Sequence, residues 1–181
     1  MTSTAQSKLL SLILRHEPAK AGLTLEPGGW VVIDDLLDGL NRLHKPMTRA
    51  ELDLVVAESA KKRLTISDDG SRIRAAQGHS VPITLDLPAV VSPNQLYHGT
   101  ATRFLPAIQN DGLKRMSRPH VHLSRPADTA TKVGRRHGTP TILRVQSARM
   151  ATDGHEFFQA DNGVWLTAQV PPTYLIFEGS P

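Results

Sequence analysis

The chain has no cysteine among its 181 residues. Disulfides, thiolate metal sites and cysteine nucleophiles are therefore excluded, and the composition suits a reducing intracellular setting. Aromatic residues are scarce at 4%, so the core must be built from aliphatic side chains. No run of about 18 apolar residues exists, which leaves no candidate for a helical membrane span. The opening stretch, MTSTAQSKLLSLILRH, lacks the basic segment and small-residue cleavage site of a secretory signal. A cytoplasmic protein without a membrane partner is the expectation. Missing too are a P-loop, a GxGxxG loop and any pair of acids placed as general acid and base. An enzyme made from this sequence would have to work with arginine and histidine. That inventory suits a reaction whose nucleophile is already an anion and whose difficulty is holding negative charge.

What is present is ordinary in bulk. A hydrophobic fraction of 39% and a charged fraction of 21%, with 13 prolines and 13 glycines, describe a compact, loop-containing globular chain. Its length allows one domain or two small ones. The net charge of +4 and pI near 9.7 favour anionic partners. The charge is unevenly spread. Lys114, Arg115, Arg118, Arg125, Lys132, Arg135, Arg136 and Arg144 are opposed over that stretch by Asp128 alone. A solvated surface would explain the charge but not the excess of arginine over lysine, and arginine is the residue that grips phosphate with a planar fork.

Periodicity divides the chain. Leu9, Leu10, Ile13 and Leu14 recur at helical spacing, and Pro18 ends that helix. GGWVVIDDLLDGLNRL reads as turn, short extended piece and a helix begun by Asp34 or Asp35 as cap. Thr48 and Glu51 have the spacing of a capping box before a third helix that places Leu52, Val55, Val56 and Ala60 on one face. Two alternating segments around Asp68-Asp69-Gly70 then signal a β-hairpin. Three helices followed by a hairpin is the order of a winged-helix module. A proline-bearing crossing near residues 82–94 follows. Beyond it come short strand candidates, QLYHG, HVHLS, TILRVQ, FFQADNGVWLT and YLIF, with helices at Arg103–Asp111 and Asp128–Arg136. The expectation is an α+β fold with a first domain over 1–85 and a β-rich second over 86–181.

Four groups could carry chemistry. In YHGT, His98 stands at a strand end before Gly99, where the missing Cβ lets backbone approach a ligand; taken alone, the stretch is better read as a structural histidine before a turn. In SRPHVHLS, His120 and His122 share one face of a strand. They could line a ligand, and a purely structural role for at least one of them reads equally well. A zinc site would need a third ligand, which nothing near in sequence supplies, although His98, His137 and His155 could in principle. VGRRHGTP packs Arg135, Arg136 and His137 before a glycine, which a helix C-terminus alone would favour. KKRL and RIRAAQGHS bring Arg63, Arg74 and His79 near one another if the hairpin folds back, and basic residues on a wing also suit nucleic-acid phosphates.

Taken together, LSLILRHEP, GWVVIDDLL, KKRL, RIRAAQGHS, LYHGT, RPHVHLS, VGRRHGTP and NGVWLT resemble, in order, the NAD-dependent RNA 2′-phosphotransferases, also called tRNA 2′-phosphotransferases. The resemblance spans about residues 8–167. It implies an N-terminal winged-helix, RNA-binding lobe and a C-terminal NAD-binding lobe of ADP-ribosyltransferase fold. It implies removal of an internal 2′-phosphate left in RNA at a tRNA splice junction. In that chemistry the phosphate attacks the anomeric ribose carbon of NAD and releases nicotinamide. The ribose 2″-hydroxyl then attacks the phosphorus of the ADP-ribosylated RNA phosphate. The products are RNA with a 2′-hydroxyl and ADP-ribose 1″,2″-cyclic phosphate.

Carried onto this sequence, the resemblance implies Arg15, His16, Arg63 and Arg118 as catalytic residues. It implies His98, Gly99, Thr100, His120, His122 and Ser124 as NAD contacts, and Arg74, Gln77 and His79 as RNA or phosphate contacts. NAD is expected as co-substrate, with no metal, and the protein as a monomer. Two rival readings share many of these residues. One is an ADP-ribosyltransferase that stops after modifying a terminal phosphate of RNA or DNA. The other is a non-catalytic winged-helix nucleic-acid binder.

Overall fold

A computed structural model describes residues 3–83, 86–135 and 138–177. The chain forms two compact units, Met1–Leu87 and Pro88–Pro181. Both mix helices with short strands, an α+β arrangement.

In the first unit, helix α1 (Ser3–Arg15) buries Leu10, Ile13 and Leu14 almost completely. Each such side chain contributes roughly 1.5–3 kcal/mol relative to an exposed one. The helix closes where backbone amides of His16 and Glu17 both reach the Leu12 carbonyl, at 2.9 and 3.1 Å. Glu17, preceding a proline, leaves helical geometry, as the proline ring requires. Strand β1 (Trp30–Val32) runs into helix α2 (Ile33–Arg42). This helix starts one residue before the expected cap. Val32 occupies the cap position without a side-chain bond, and Asp34 and Asp35 lie in the first turn, where negative charge meets the positive end of the helix dipole.

Helix α3 (Arg49–Ala57) has the expected capping box. Thr48 Oγ1 accepts from the Glu51 amide at 3.2 Å, and Glu51 Oε2 accepts from the Thr48 amide at 2.7 Å. Leu52 and Val55 are buried, but Ala60 lies beyond the helix end and is exposed, so the expected apolar face is shorter by a turn. Strands β2 (Leu64–Ile66) and β3 (Arg72–Ala75) form the hairpin, and β1 adds to it in the antiparallel order β1-β3-β2. Asp69 Oδ1 ties the turn together by accepting from Ser67 Oγ at 2.6 Å and the Ser71 amide at 3.0 Å.

In the second unit, β4 (Leu96–Ala101) pairs over its whole length with β7 (Pro140–Val145), and β11 (Leu175–Phe177) lies on the other side of β7. A second antiparallel sheet has the order β6 (Val121–Leu123), β9 (Trp165–Thr167), β8 (Phe158–Gln159). Reciprocal backbone bonds between Tyr97 and Ser124, 2.8 and 2.9 Å long, join the two sheets. The expected helices are α4 (Leu105–Asp111), preceded by a 3-10 turn at Thr102–Phe104, and α5 (Ala127–Gly134). Arg135 caps α5, and Arg136 and His137 lie outside the described residues. A small pair, β5 (Leu113–Lys114) with β10 (Gln169–Val170), and helix α6 (Ser147–Thr152) are not legible in the pattern. The core is aliphatic, centred on Leu96, Leu143, Val145 and Met150, with Phe157 among them.

Candidate active site

The first unit gathers Arg15, His16, Arg63, Arg74 and His79 around the C-terminal end of α1. Arg15 is the last residue of that helix, and its Nη2 donates to the Arg63 carbonyl at 3.3 Å. The same carbonyl accepts from the Ala76 amide at 3.0 Å, where the chain leaves β3. Arg63 Nη1 in turn donates to Ser7 Oγ at 3.4 Å, back on α1. His16 is exposed, and its Nδ1 lies 2.8 Å from Ser80 Oγ. The Ser80 amide donates to the Arg15 carbonyl at 3.0 Å, satisfying one of the acceptors that a helix end leaves open. The buried face of this apolar helix fixes its axis, and so sets Arg15 at its last position and His16 just past it, beside Arg63 and the segment 78–80.

Arg74, on β3, is only 9% exposed, and its guanidinium sits 4.5 Å from the centroid of the Trp30 ring. His79 is wholly buried, and neither ring nitrogen has a hydrogen-bond partner among the described residues. Burial lowers its pKa to about 4, and the charges of Arg15, His16 and Arg74 push the same way. At neutral pH it is therefore an uncharged ring beneath a cationic cluster. Gln77 is half-buried, with its Oε1 enclosed.

The second unit holds the other set. His98, on β4, donates from Nδ1 to the His122 carbonyl at 3.0 Å, since a carbonyl can only accept. His122 Nδ1 accepts from Arg118 Nη1 at 2.9 Å. Ser124 Oγ donates to the carbonyls of Tyr97 and Pro126, at 3.4 and 3.2 Å. His120 packs edge-on against Phe158 with ring centroids 5.8 Å apart. Its pKa is lowered by burial and then by the nearby Arg115 charge. Thr100 is buried, 6% exposed. The close approach that Gly99 permits is made by α5: a Cβ there would collide with the Ala130 carbonyl. Among the described residues no group of three or more histidines and acids is placed to hold a metal ion.

Ser80 and Trp30 hold three of these residues in place, although the sequence alone assigns them no role. Ser80 closes the RIRAAQGHS stretch, and Trp30 is one of only two tryptophans in the chain; those are the signals that point to them.

A family model described as RNA 2′-phosphotransferase, Tpt1 / KptA family, matches residues 2–169. The chain belongs to this RNA 2′-phosphotransferase family. A protein of Agrobacterium fabrum named a probable RNA 2′-phosphotransferase is 54% identical over 173 residues, covering 96% of this chain and 93% of its own. Proteins of the same name from Burkholderia lata and Rhodopirellula baltica are 51% and 50% identical, covering 96% and 94% of this chain and 90% and 94% of theirs. RNA 2′-phosphotransferase relatives thus match the chain through both units.

Proposed function

We propose that this family member transfers the internal 2′-phosphate of an RNA to NAD, giving RNA with a 2′-hydroxyl, nicotinamide and ADP-ribose 1″,2″-cyclic phosphate, in the cytoplasm and in service of tRNA splicing. Its catalytic residues are Arg15, His16, Arg63 and Arg118. In this reading the first unit is a winged-helix RNA-binding lobe and the second an ADP-ribosyltransferase-like lobe. The observation that carries the proposal is the gathering of basic side chains at the end of α1, where Arg15 Nη2 donates to the Arg63 carbonyl and His16 lies against Ser80, next to the wholly buried His79. A cluster of positive charge around a group that cannot neutralise it is stabilised by a bound anion.

A phosphate monoester is largely dianionic at neutral pH and needs no general base to act as a nucleophile. It needs orientation, and guanidinium forks supply that. Arginines fixed around the phosphorus also stabilise the charge that develops when the ribose hydroxyl attacks and the RNA 2′-oxygen departs. His16 is suited to deliver a proton to that oxygen. Arg74 and Gln77 contact the RNA or its phosphate, with His79 beneath them.

NAD contributes the ribosyl–nicotinamide bond whose cleavage drives the transfer. The donor set of the second unit fits such a dinucleotide. The imidazoles of His98 and His122, the Ser124 hydroxyl and the Arg118 guanidinium suit ribose hydroxyls and diphosphate oxygens. His98, Gly99, Thr100, His120, His122 and Ser124 would hold it. No metal is assigned a role, and the protein is expected to act as a monomer.

The test is incubation with NAD and an oligonucleotide carrying one internal 2′-phosphate, followed by chromatography of the nucleotide products. Nicotinamide and the cyclic phosphate should accumulate together. A persistent ADP-ribosyl adduct would instead identify a transferase of terminal phosphates. Salt-sensitive nucleic-acid binding without nicotinamide release would identify a binding module.

A further inference from the structure

We propose that Ser80 is a positioning residue for His16, turning the imidazole through its hydroxyl while its backbone fixes the end of α1. The assignment rests on the functional reading above. Ser80 makes two bonds to consecutive residues: its amide donates to the Arg15 carbonyl at 3.0 Å, and its Oγ lies 2.8 Å from His16 Nδ1. The first bond places Ser80 independently of its side chain, so the hydroxyl arrives already aligned. The segment leading to it is also anchored. Gly78 turns with φ of 88°, and His79 is completely buried with Gly29 so close that a Cβ there would lie 3.0 Å from His79 Nε2.

This anchoring matters because His16 and Ser80 are both exposed. A hydrogen bond between two exposed, mobile side chains contributes little, whereas one held by the backbone loses less freedom on forming. With Nδ1 engaged by Ser80, proton delivery to the departing RNA oxygen falls to Nε2. When His16 is protonated, its Nδ1–H donates and the serine oxygen accepts. A hydroxyl orients the ring without adding negative charge. An aspartate in its place would also orient the ring, but it would offset the cations that hold a phosphate.

The experiment uses the full chain. Ser80→Ala should lower the rate constant for phosphate transfer about ten-fold, with KM for NAD unchanged, and Ser80→Thr should restore most of it. In a His16→Ala background, measured with enzyme in excess, Ser80→Ala should cost nothing further, because the partner is gone. An equal loss in that background would make Ser80 merely structural and overturn the proposal. NMR titration of the His16 imidazole gives a readout free of activity: its midpoint or tautomer signature should change in Ser80→Ala while the thermal unfolding midpoint stays put. An unchanged His16 titration overturns the assignment of Ser80 alone, whereas absence of phosphate transfer in the wild-type chain overturns the functional reading itself.

Discussion

Arg118 Nη1 donates a hydrogen bond to Nδ1 of His122 across 2.9 Å. Because a guanidinium has only donors, His122 must present a lone pair at Nδ1 and carry its proton on Nε2. One bond thus fixes the tautomer of a proposed NAD contact and the direction of a proposed catalytic arginine. Arg118→Ala should reduce phosphate transfer about 10²–10³-fold, the usual loss for one placed donor in an anion-stabilising site. Arg118→Lys should recover little, since an ammonium cannot reproduce the fork. His122→Gln, whose amide oxygen can accept from Arg118, should retain more activity than His122→Ala. Steady-state kinetics at saturating NAD decide this, and wild-type kcat in Arg118→Lys would count against it.

Gly99 and Gly134 make a packing prediction. Helix α5 lies so close to β4 that an added Cβ at Gly99 meets the Ala130 carbonyl, and one at Gly134 comes within 2.7 Å of the Thr100 carbonyl. The obstacles are backbone, which cannot step aside as a side chain can. Gly99→Ala should therefore destabilise the second unit by at least about 1–3 kcal/mol. Differential scanning calorimetry should show a transition several degrees lower. If Gly99→Ala lost NAD binding at an unaltered melting temperature, a ligand and not α5 would be what needs the missing Cβ.

Stability should depend on pH through His79. Its pKa in the folded chain is about 4 against 6.5 for the free side chain, so between those values the unfolded state binds the extra proton. Stability from this group is present above pH 6.5 and lost as the pH falls toward 4, by about 2 kcal/mol between pH 7 and pH 5. Asp69 behaves oppositely in cause but falls in another window. Hydrogen bonds from Ser67 and Ser71 lower its pKa from 3.8 to about 2, so its contribution is lost only below pH 3.8. Urea unfolding at pH 7 and pH 5 stays above the Asp69 window, and because burial also lowers the pKa of His120, only comparison with a His79 variant isolates His79. His79→Gln should flatten the difference relative to wild type, and an unchanged slope would refute the burial-driven shift.

Much of the first unit is legible in the sequence because its signals are local. The capping box at Thr48 and Glu51, the helix stop at Pro18 and the Asp68-Asp69-Gly70 turn act within four residues of themselves. The start of α2 is misread from sequence because acidic residues serve a first helical turn as well as a cap. In the second unit the two-residue strands β5 and β10 leave no trace, since two residues carry no alternation and their pairing joins positions more than fifty apart. Arg15, His16, Arg63, Arg74 and His79 can be nominated from motifs. Their convergence, the burial of His79 and the grips of Ser80 and Trp30 depend on the chain between residues 63 and 80 folding back onto α1, which no residue spacing encodes.

Trp30 offers the last test. Register places it opposite Arg74, with the guanidinium over its ring at 4.5 Å, and the Arg72 guanidinium lies 5.9 Å from the same centroid. A cation held against an indole in a partly desolvated setting gains about 0.5–2 kcal/mol and, more importantly, loses its freedom to swing. If Arg74 contacts RNA phosphate, removing the indole should loosen that contact without removing its charge. Trp30→Ala should therefore raise KM for the 2′-phosphorylated RNA several-fold with the salt dependence of binding unchanged, and Trp30→Phe should fall between. Arg74→Ala should instead weaken binding and reduce the slope of log affinity against log salt by about one. Equal salt slopes for wild type and Arg74→Ala would show that Arg74 only braces the sheet, in which case the indole positions nothing for the substrate.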